Sequence, residues 1–301
     1  MRHKYDILWK GVLEEVADDL LRFIFPEAEQ VFDMKRRFEF LDKELAELYP
    51  EPDRGGDTRF VDKLVKVYRA DGQEEWVLAH IEIQGEANKR VDFGERMFRY
   101  FYRIFDRYRK PVTGIAIFTG PDGKRMPDVF SYEFMHTHLS YRYNKLCILD
   151  YENEVLEKSD NPFALVMLAA KTALLEGKIP EVELKDRKLL IAKLLYRKGL
   201  FSKKKIEAIL TFLNNMVILE DPETNRIFTE EIDLLTGKKN SMNIFEQLAE
   251  IKAQEAQERV EEKSVRAFLM NTDFSIEKIA NILDIPVSFA ERVKEGLSPS
   301  N

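Results

Sequence analysis

The chain has 301 residues and a formal net charge of −7 at pH 7, so its overall field disfavours DNA, although a local basic surface is compatible with that charge. Its 21 Phe and 11 Tyr exclude a disordered protein, and a chain of this length can bury a large core in one or two domains. No apolar run reaches the roughly 18 residues that span a membrane, and the single cysteine excludes an intrachain disulfide, so we expect no membrane partner and a cytoplasmic location.

The N-terminal sixty residues predict a helix, a short strand and a loop. Apolar residues recur at helical spacing from Tyr5 to Phe25. Glu14 and Glu15 lie near the middle of this helix, where a solvated outer face is the simplest interpretation. Residues 37–45 predict a strand followed by the start of a short helix, and residues 49–56, Tyr-Pro-Glu-Pro-Asp-Arg-Gly-Gly, predict a loop.

Two β-rich runs on either side of Asp71-Gly72 predict a β-hairpin, because this dipeptide accepts positive φ. A two-residue loop would pair Asp62 with Ile81 and mix the apolar and polar faces. A three-residue loop over 71–73 pairs Asp62 with Glu82 and keeps apolar residues facing apolar residues. We therefore predict the second register.

This register places two carboxylates opposite each other, with the Gln84 amide two residues beyond Glu82 on the same face. Directly opposed like charges destabilise a sheet. A divalent cation would offset the repulsion, because hard cations such as Mg²⁺ bind carboxylate oxygens and keep several waters. From the spacing alone, a polar sheet face with two exposed acids and no ligand is the simpler interpretation.

Residues 91–109 predict an amphipathic helix with a continuous basic stripe of arginines three and four residues apart, namely Arg96, Arg99, Arg103 and Arg107. Between residues 89 and 110 eight basic residues outnumber three acidic ones, a net charge of +5. Such a stripe can track phosphates, since Arg makes bidentate phosphate contacts. The alternative is an ordinary helix with a solvated Arg face. Tyr100 is a candidate both for the core and for a polar contact near the site.

The rest of the chain predicts three more strands and then helices. A buried strand is expected over 112–119, and extended stretches over 132–143 and 145–151. From Asn161 onward the pattern is helical, with amphipathic helices at 163–176, 186–197 and 202–215.

The C-terminal sequence predicts a charged helix and a small two-helix unit. Residues 243–268 predict an exposed charged helix that could serve as a linker or as a homodimer contact. Residues 274–294 resemble a helix-turn-helix, but only Arg292 and Lys294 are basic on its second helix. Packing or protein contact is therefore favoured over DNA reading for this unit.

Four stretches together carry a family resemblance: Arg-Phe-Val-Asp-Lys-Leu-Val-Lys-Val at 59–67, Asp71-Gly72, Leu-Ala-His-Ile-Glu-Ile-Gln-Gly at 78–85, and Glu-Arg-Met-Phe-Arg-Tyr-Phe-Tyr-Arg-Ile-Phe-Asp-Arg-Tyr at 95–108. They resemble the PD-(D/E)XK nuclease family transposases, also called the recombination-promoting nuclease/putative transposase family. The resemblance covers most of the chain and is strongest over residues 38–119.

The resemblance implies an α/β fold with a restriction-endonuclease-like core, a mixed sheet flanked by helices, followed by a helical C-terminal region. Combined with the element order, it suggests a nuclease-like domain over 1–155, a helical domain over 156–240, and a charged helix with a helix-turn-helix-like tail over 241–301. In such folds a glutamate of the first helix sometimes joins the metal site.

The implied activity is that of a DNA endonuclease that hydrolyses phosphodiester bonds with Mg²⁺, or with Mn²⁺, in recombination or mobile-element movement. By this resemblance Asp62 and Glu82 would bind the metal and Gln84 would position the attacking water. The arginines Arg96, Arg99 and Arg103 would bind DNA, with Glu44 and Tyr100 as second-tier site residues.

Gln84 departs from the wider superfamily, in which a Lys often stands at this position. A Lys can orient the water and stabilise charge, whereas an amide only forms hydrogen bonds. This departure and the net acidity favour an alternative, a catalytically weak protein of nuclease fold that binds DNA or another protein.

Overall fold

The computed structural model describes residues 2–43, 45, 61–71, 76–84, 93–197, 201–236, 264–269, 272, 274–283, 285 and 287–295. The fold is mixed α/β, as predicted. The chain forms two compact units, Met1–Leu235 and Thr236–Asn301. Within the described ranges, none of the helices combines the length and the apolar character needed to cross a membrane.

The first unit begins with α1 (Arg2–Ile24), α2 (Ala28–Val31) and the short strand β1 (Glu39–Phe40). The predicted hairpin follows as β2 (Val61–Tyr68) and β3 (Trp76–Gln84), and the predicted basic helix is α3 (Phe93–Tyr108). The strands β4 (Val112–Phe118), β5 (Val129–Phe134), β6 (Thr137–Arg142) and β7 (Asn144–Cys147) come next, with 3₁₀ turns at Pro121–Arg125 and Ile148–Asp150.

Five helices complete this unit: α4 (Asn153–Lys158), α5 (Pro162–Ala173), α6 (Glu181–Arg197), α7 (Lys203–Met216) and α8 (Pro222–Thr236). The sequence did not predict α4, and it placed α8 in a region expected to be helical without giving its bounds. The strand expected over 145–151 ends at Cys147, where the chain turns into a 3₁₀ helix.

The main sheet has five strands in the order β1-β2-β3-β4-β7. Strands β1, β2 and β3 are antiparallel, whereas β3, β4 and β7 are parallel. The extended stretch near residue 132 is a separate hairpin, because β5 and β6 pair with each other in a two-stranded sheet.

Helices cover both faces of the sheet, which explains why β4 is a nearly continuous apolar run. Helix α1 contacts β2 on one face, and α3 contacts β4 on the other. The α3 side contains a core cluster that includes Phe93, Met97, Phe118 and Cys147. Cys147 is the buried small hydrophobic residue that its apolar neighbours indicate, and burial raises the pKa of its thiol.

The helical region is joined to the sheet through α1. The rings of Trp9 and Phe212 meet edge to face at 4.8 Å. Lys205 Nζ lies 2.6 Å from an Asp19 carboxylate oxygen, and the Asn161 amide donates to the Asp19 carbonyl. These contacts lie within the compact unit that ends at Leu235. The three-part division at 155 and 240 stays a prediction.

The second unit contains the helix-turn-helix-like segment as α9 (Ile276–Leu283) and α10 (Val287–Glu295), with a helical stretch at residues 264–269. Its small core is made by apolar side chains that include Val265, Ile279, Ala290 and Val293. Residues 243–263 of the charged helix predicted over 243–268 lie outside the described residues, so the homodimer contact suggested for it stays a prediction.

Candidate functional site

Asp62 lies opposite Glu82 in the antiparallel pairing of β2 and β3, which confirms the predicted register. Asp62 is the second residue of β2 and Glu82 is the third from the end of β3, so both belong to the same end of the sheet. Gln84 is the last residue of β3 and pairs with Phe118 of β4. The side chains of Asp62, Glu82 and Gln84 lie outside the described part of the structure.

The crossover from β3 to β4 brings α3 to the same end of the sheet. Because β3 and β4 are parallel, the helix that connects them runs back along the sheet against β4 and begins at the end of the sheet where β3 ends. Arg96 lies in the first turn of α3. The end of the sheet that holds Asp62, Glu82 and Gln84 is therefore also the end at which Arg96 lies.

The arginines of α3 do not form the continuous exposed stripe that their spacing suggested. Arg96 is only 5% exposed, and its guanidinium lies 5.0 Å from the centroid of the Phe93 ring. Arg99 and Arg107 are exposed, and Arg103 is half-buried. The exposed arginines therefore lie beyond the first turn, whereas Arg96 presents its charge from a buried position.

Tyr100 has a core role beside β2. It packs against the cluster of Leu45, Leu64 and Ile104. Leu64 is fully buried and lies two residues after Asp62, so α3 covers the row of β2 to which Asp62 belongs by alternation. Tyr102, the neighbouring tyrosine on α3, is instead exposed.

A buried lysine directly follows Asp62 on β2. Lys63 is 1% exposed, and its Nζ lies 2.7 Å from Glu14 Oε1 and 2.5 Å from Asp42 Oδ2. A lysine is rarely buried this deeply unless it is paired. Glu14 is exposed, as the sequence indicated, and its ion pair with Lys63 also connects α1 to β2. The Lys63 pairs hold the strand that carries Asp62.

The sequence contains one signal for this ion cluster. Lys63 shares strand parity with Val61, Val65 and Val67, which form the apolar row of β2. A charged residue in an apolar row indicates a buried partner. Its partners could not be identified from the sequence, because they lie 49 and 21 residues away.

Lys63→Met should lower the free energy of unfolding by about 2 kcal/mol. Breaking a buried ion pair costs about 3–5 kcal/mol, and the loss is smaller here because Glu14 and Asp42 are partly exposed and can be rehydrated. Urea unfolding measures the effect.

Lys66→Met is the matched control on the same strand. Lys66 is more exposed, and its Nζ lies 3.2 Å from Glu39. The Tyr68 hydroxyl donates to the same carboxylate and lowers the pKa of Glu39. We expect this variant to lose less than about 1 kcal/mol. Equal losses in the two variants would show that the Lys63 cluster does not hold β2.

Two further sequence predictions cannot be compared with the structure. Glu44 and the loop at 49–56 lie outside the described residues. Among the side chains that are described, no three His, Cys, Asp or Glu residues converge on a point that could hold a metal ion.

Comparison with known proteins found no relative of this chain. No protein-family model matches the chain, and no curated protein and no solved structure matches it either.

Proposed function

We propose that the protein is a Mg²⁺-dependent DNA endonuclease of the transposase-like kind with a restriction-endonuclease-like core, in which Asp62 and Glu82 hold the metal ion. The observation that carries the proposal is the β2–β3 register, which pairs these two residues. The resemblance of the surrounding motifs to PD-(D/E)XK nuclease family transposases and the mixed sheet between helices support it.

The donor set fits a hard divalent cation. Opposed positions on adjacent antiparallel strands bring side chains within interaction distance, and two carboxylates facing each other without a cation would repel. Mg²⁺ is bound through one or two carboxylates together with waters and phosphate oxygens. Mn²⁺ accepts the same oxygen ligands. When bound, the ion lowers the pKa of a water molecule and stabilises charge on the attacked phosphate.

The residues around the Asp62–Glu82 pair have different roles in this proposal. Gln84 orients the attacking water through a hydrogen bond but supplies no charge. Arg99 and Arg103 contact backbone phosphates from the accessible part of α3. Arg96 contributes a positive charge at the end of the sheet that holds Asp62 and Glu82. Its burial lowers the screening of that charge by solvent.

A second function is favoured by Gln84 and by the net charge of −7. In this alternative the protein has the nuclease fold but little activity, and it binds DNA or another protein. The two-helix unit of α9 and α10 would then be the binding element.

Plasmid nicking by the pure protein with Mg²⁺, Mn²⁺ or EDTA tests the proposal. We expect conversion of supercoiled to nicked or linear plasmid with either metal and none with EDTA. Asp62→Ala, purified in parallel, reveals any contaminating nuclease. Tight DNA binding without cutting would establish the binding alternative, and equal cutting in EDTA would refute the metal site.

A further inference from the structure

The hairpin of β5 and β6 has one apolar face and one polar face. Its register pairs Phe130 with Tyr141, Tyr132 with Leu139, and Phe134 with Thr137. These positions alternate with a mostly polar set that comprises Val129, Ser131, Glu133, His138, Ser140 and Arg142. An amphipathic two-stranded sheet is only marginally stable alone, so its apolar face needs a packing partner.

The inner half of the apolar face packs on α3. Phe130 stacks on Phe98 with ring centroids 5.4 Å apart, and Tyr141 lies 4.8 Å from Phe101. This contact fixes the base of the hairpin against the first unit. It leaves the outer half of the face beyond the reach of these rings.

The outer half is exposed to solvent. Phe134 is 61% exposed and Met135, at the turn, is 82% exposed, while Tyr132 is half-exposed. Tyr102 and Phe105 of α3 are exposed as well. We call these five residues the hairpin surface. Exposed apolar patches mark interaction sites, and aromatic and Met side chains are enriched in interface cores.

The turn of the hairpin contains a methionine, Met135, in a backbone conformation that residues other than glycine and asparagine seldom adopt. Met135 has a φ of 51°, in the left-handed region that Gly or Asn adopts more easily. A methionine there places an apolar side chain at the tip of the hairpin.

The charge of the hairpin argues against nucleic acid as its partner. Arg142 is the only Lys or Arg of the two hairpin strands, and it lies 2.6 Å from Asp128, while Glu133 adds a negative charge. Beside the α3 part of the surface, Arg109 lies 5.9 Å from the Phe105 ring centroid, and its charge is paired with Asp106 at 2.6 Å. Protein–DNA interfaces are strongly positive. A partner with an equally neutral, apolar surface fits better, and a second copy of the chain supplies that surface.

The area reaches the lower end of the range for a specific interface, about 600–1,000 Å² per partner. If each of the five side chains offers about 200 Å², their exposed fractions leave roughly 600 Å² of apolar surface per copy. A standard interface buries about 800 Å² per partner. We infer that the hairpin surface joins two copies of this chain about a two-fold axis, each hairpin tip lying on the partner's tip.

Sedimentation velocity of the full chain over a range of concentrations tests this inference. We expect a monomer–dimer equilibrium for the wild type and at least about 100-fold weaker association for Phe134→Glu, because the dimer contains this position twice. Val182→Glu is the matched control, since Val182 of α6 is 60% exposed and lies outside the hairpin surface. It should associate like the wild type.

A single engineered cysteine gives a second readout. Cys147 is buried, so Met135→Cys introduces one exposed thiol at the hairpin tip. A short bismaleimide should cross-link this variant as a dimer and should not cross-link Val182→Cys. A wild type that stays monomeric throughout, or a dimer that Phe134→Glu leaves intact, overturns the inference. If Phe134→Glu instead weakens DNA binding without changing the mass, the surface binds nucleic acid.

Discussion

Asp62→Asn and Glu82→Gln should each reduce metal-dependent DNA cleavage by more than about 100-fold. Loss of a residue that merely supports a metal ligand already costs 10- to 100-fold, so the loss of a ligand should exceed that range. Both substitutions preserve shape and remove charge from the pair that the β2–β3 register sets opposite each other.

The same variants should be at least as stable as the wild type when metal is removed. Opposed like charges destabilise a sheet, and one neutral amide in the pair ends that repulsion. Mg²⁺ should stabilise the wild type by mass action and should not stabilise the variants. Thermal unfolding with Mg²⁺ and with EDTA, beside plasmid nicking, measures both effects.

Glu95→Gln provides the control, because Glu95 is an exposed acid in the first turn of α3 at the same end of the sheet. It should retain cleavage and its response to Mg²⁺. A clear loss of stability in EDTA for Asp62→Asn would mean that its carboxylate makes a stabilising contact in the protein. Such a loss, or retained cleavage, contradicts a metal bridge between Asp62 and Glu82.

Lys188→Met should stabilise the protein at pH 7 by about 2–3 kcal/mol. Lys188 is 2% exposed on α6, where its Nζ donates to the Val217 carbonyl at 2.8 Å and lies 4.4 Å from the centroid of the Phe228 ring. Burial lowers its pKa from 10.5 to about 7, and the charge of Glu176 opposes this shift only in part. Burial of the Lys188 charge therefore lowers the stability of the wild type at pH 7 by roughly 4 kcal/mol. Lys188→Met removes this cost but leaves the Val217 carbonyl without its donor, so the net gain is smaller.

The effect depends on pH in a defined direction. Between pH 7 and pH 10.5 the unfolded chain holds the Lys188 proton and the folded protein releases it, so wild-type stability rises with pH. Below pH 7 both states are protonated and the penalty is complete. The advantage of Lys188→Met should therefore shrink by about 3 kcal/mol between pH 7 and pH 9.5.

Urea unfolding of the two proteins at both pH values checks this prediction. Lys178→Met, which replaces an exposed lysine, should stay within about 0.5 kcal/mol of the wild type at each pH. A pH-independent difference for Lys188→Met would show that folding does not shift the Lys188 pKa.

The local hydrophobic pattern and the turn residues, which can be identified in the sequence alone, determined the main helices and strands of this protein. The β2–β3 register followed from apolar alternation and loop length, and it placed Asp62 opposite Glu82. The helix after the hairpin and the buried strand β4 followed from their periodicity. These features depend on neighbours in the chain, so a single sequence is sufficient to predict them.

Long-range packing decided the environment of each charged side chain. Helical spacing put Arg96 and Arg99 on one stripe, but only the fold buries Arg96 and exposes Arg99. Alternation placed Lys63 in an apolar row, but only tertiary structure brings Glu14 and Asp42 to it. Burial and charge pairing depend on residues far apart in the sequence, and the free energy of a charged group depends on those partners.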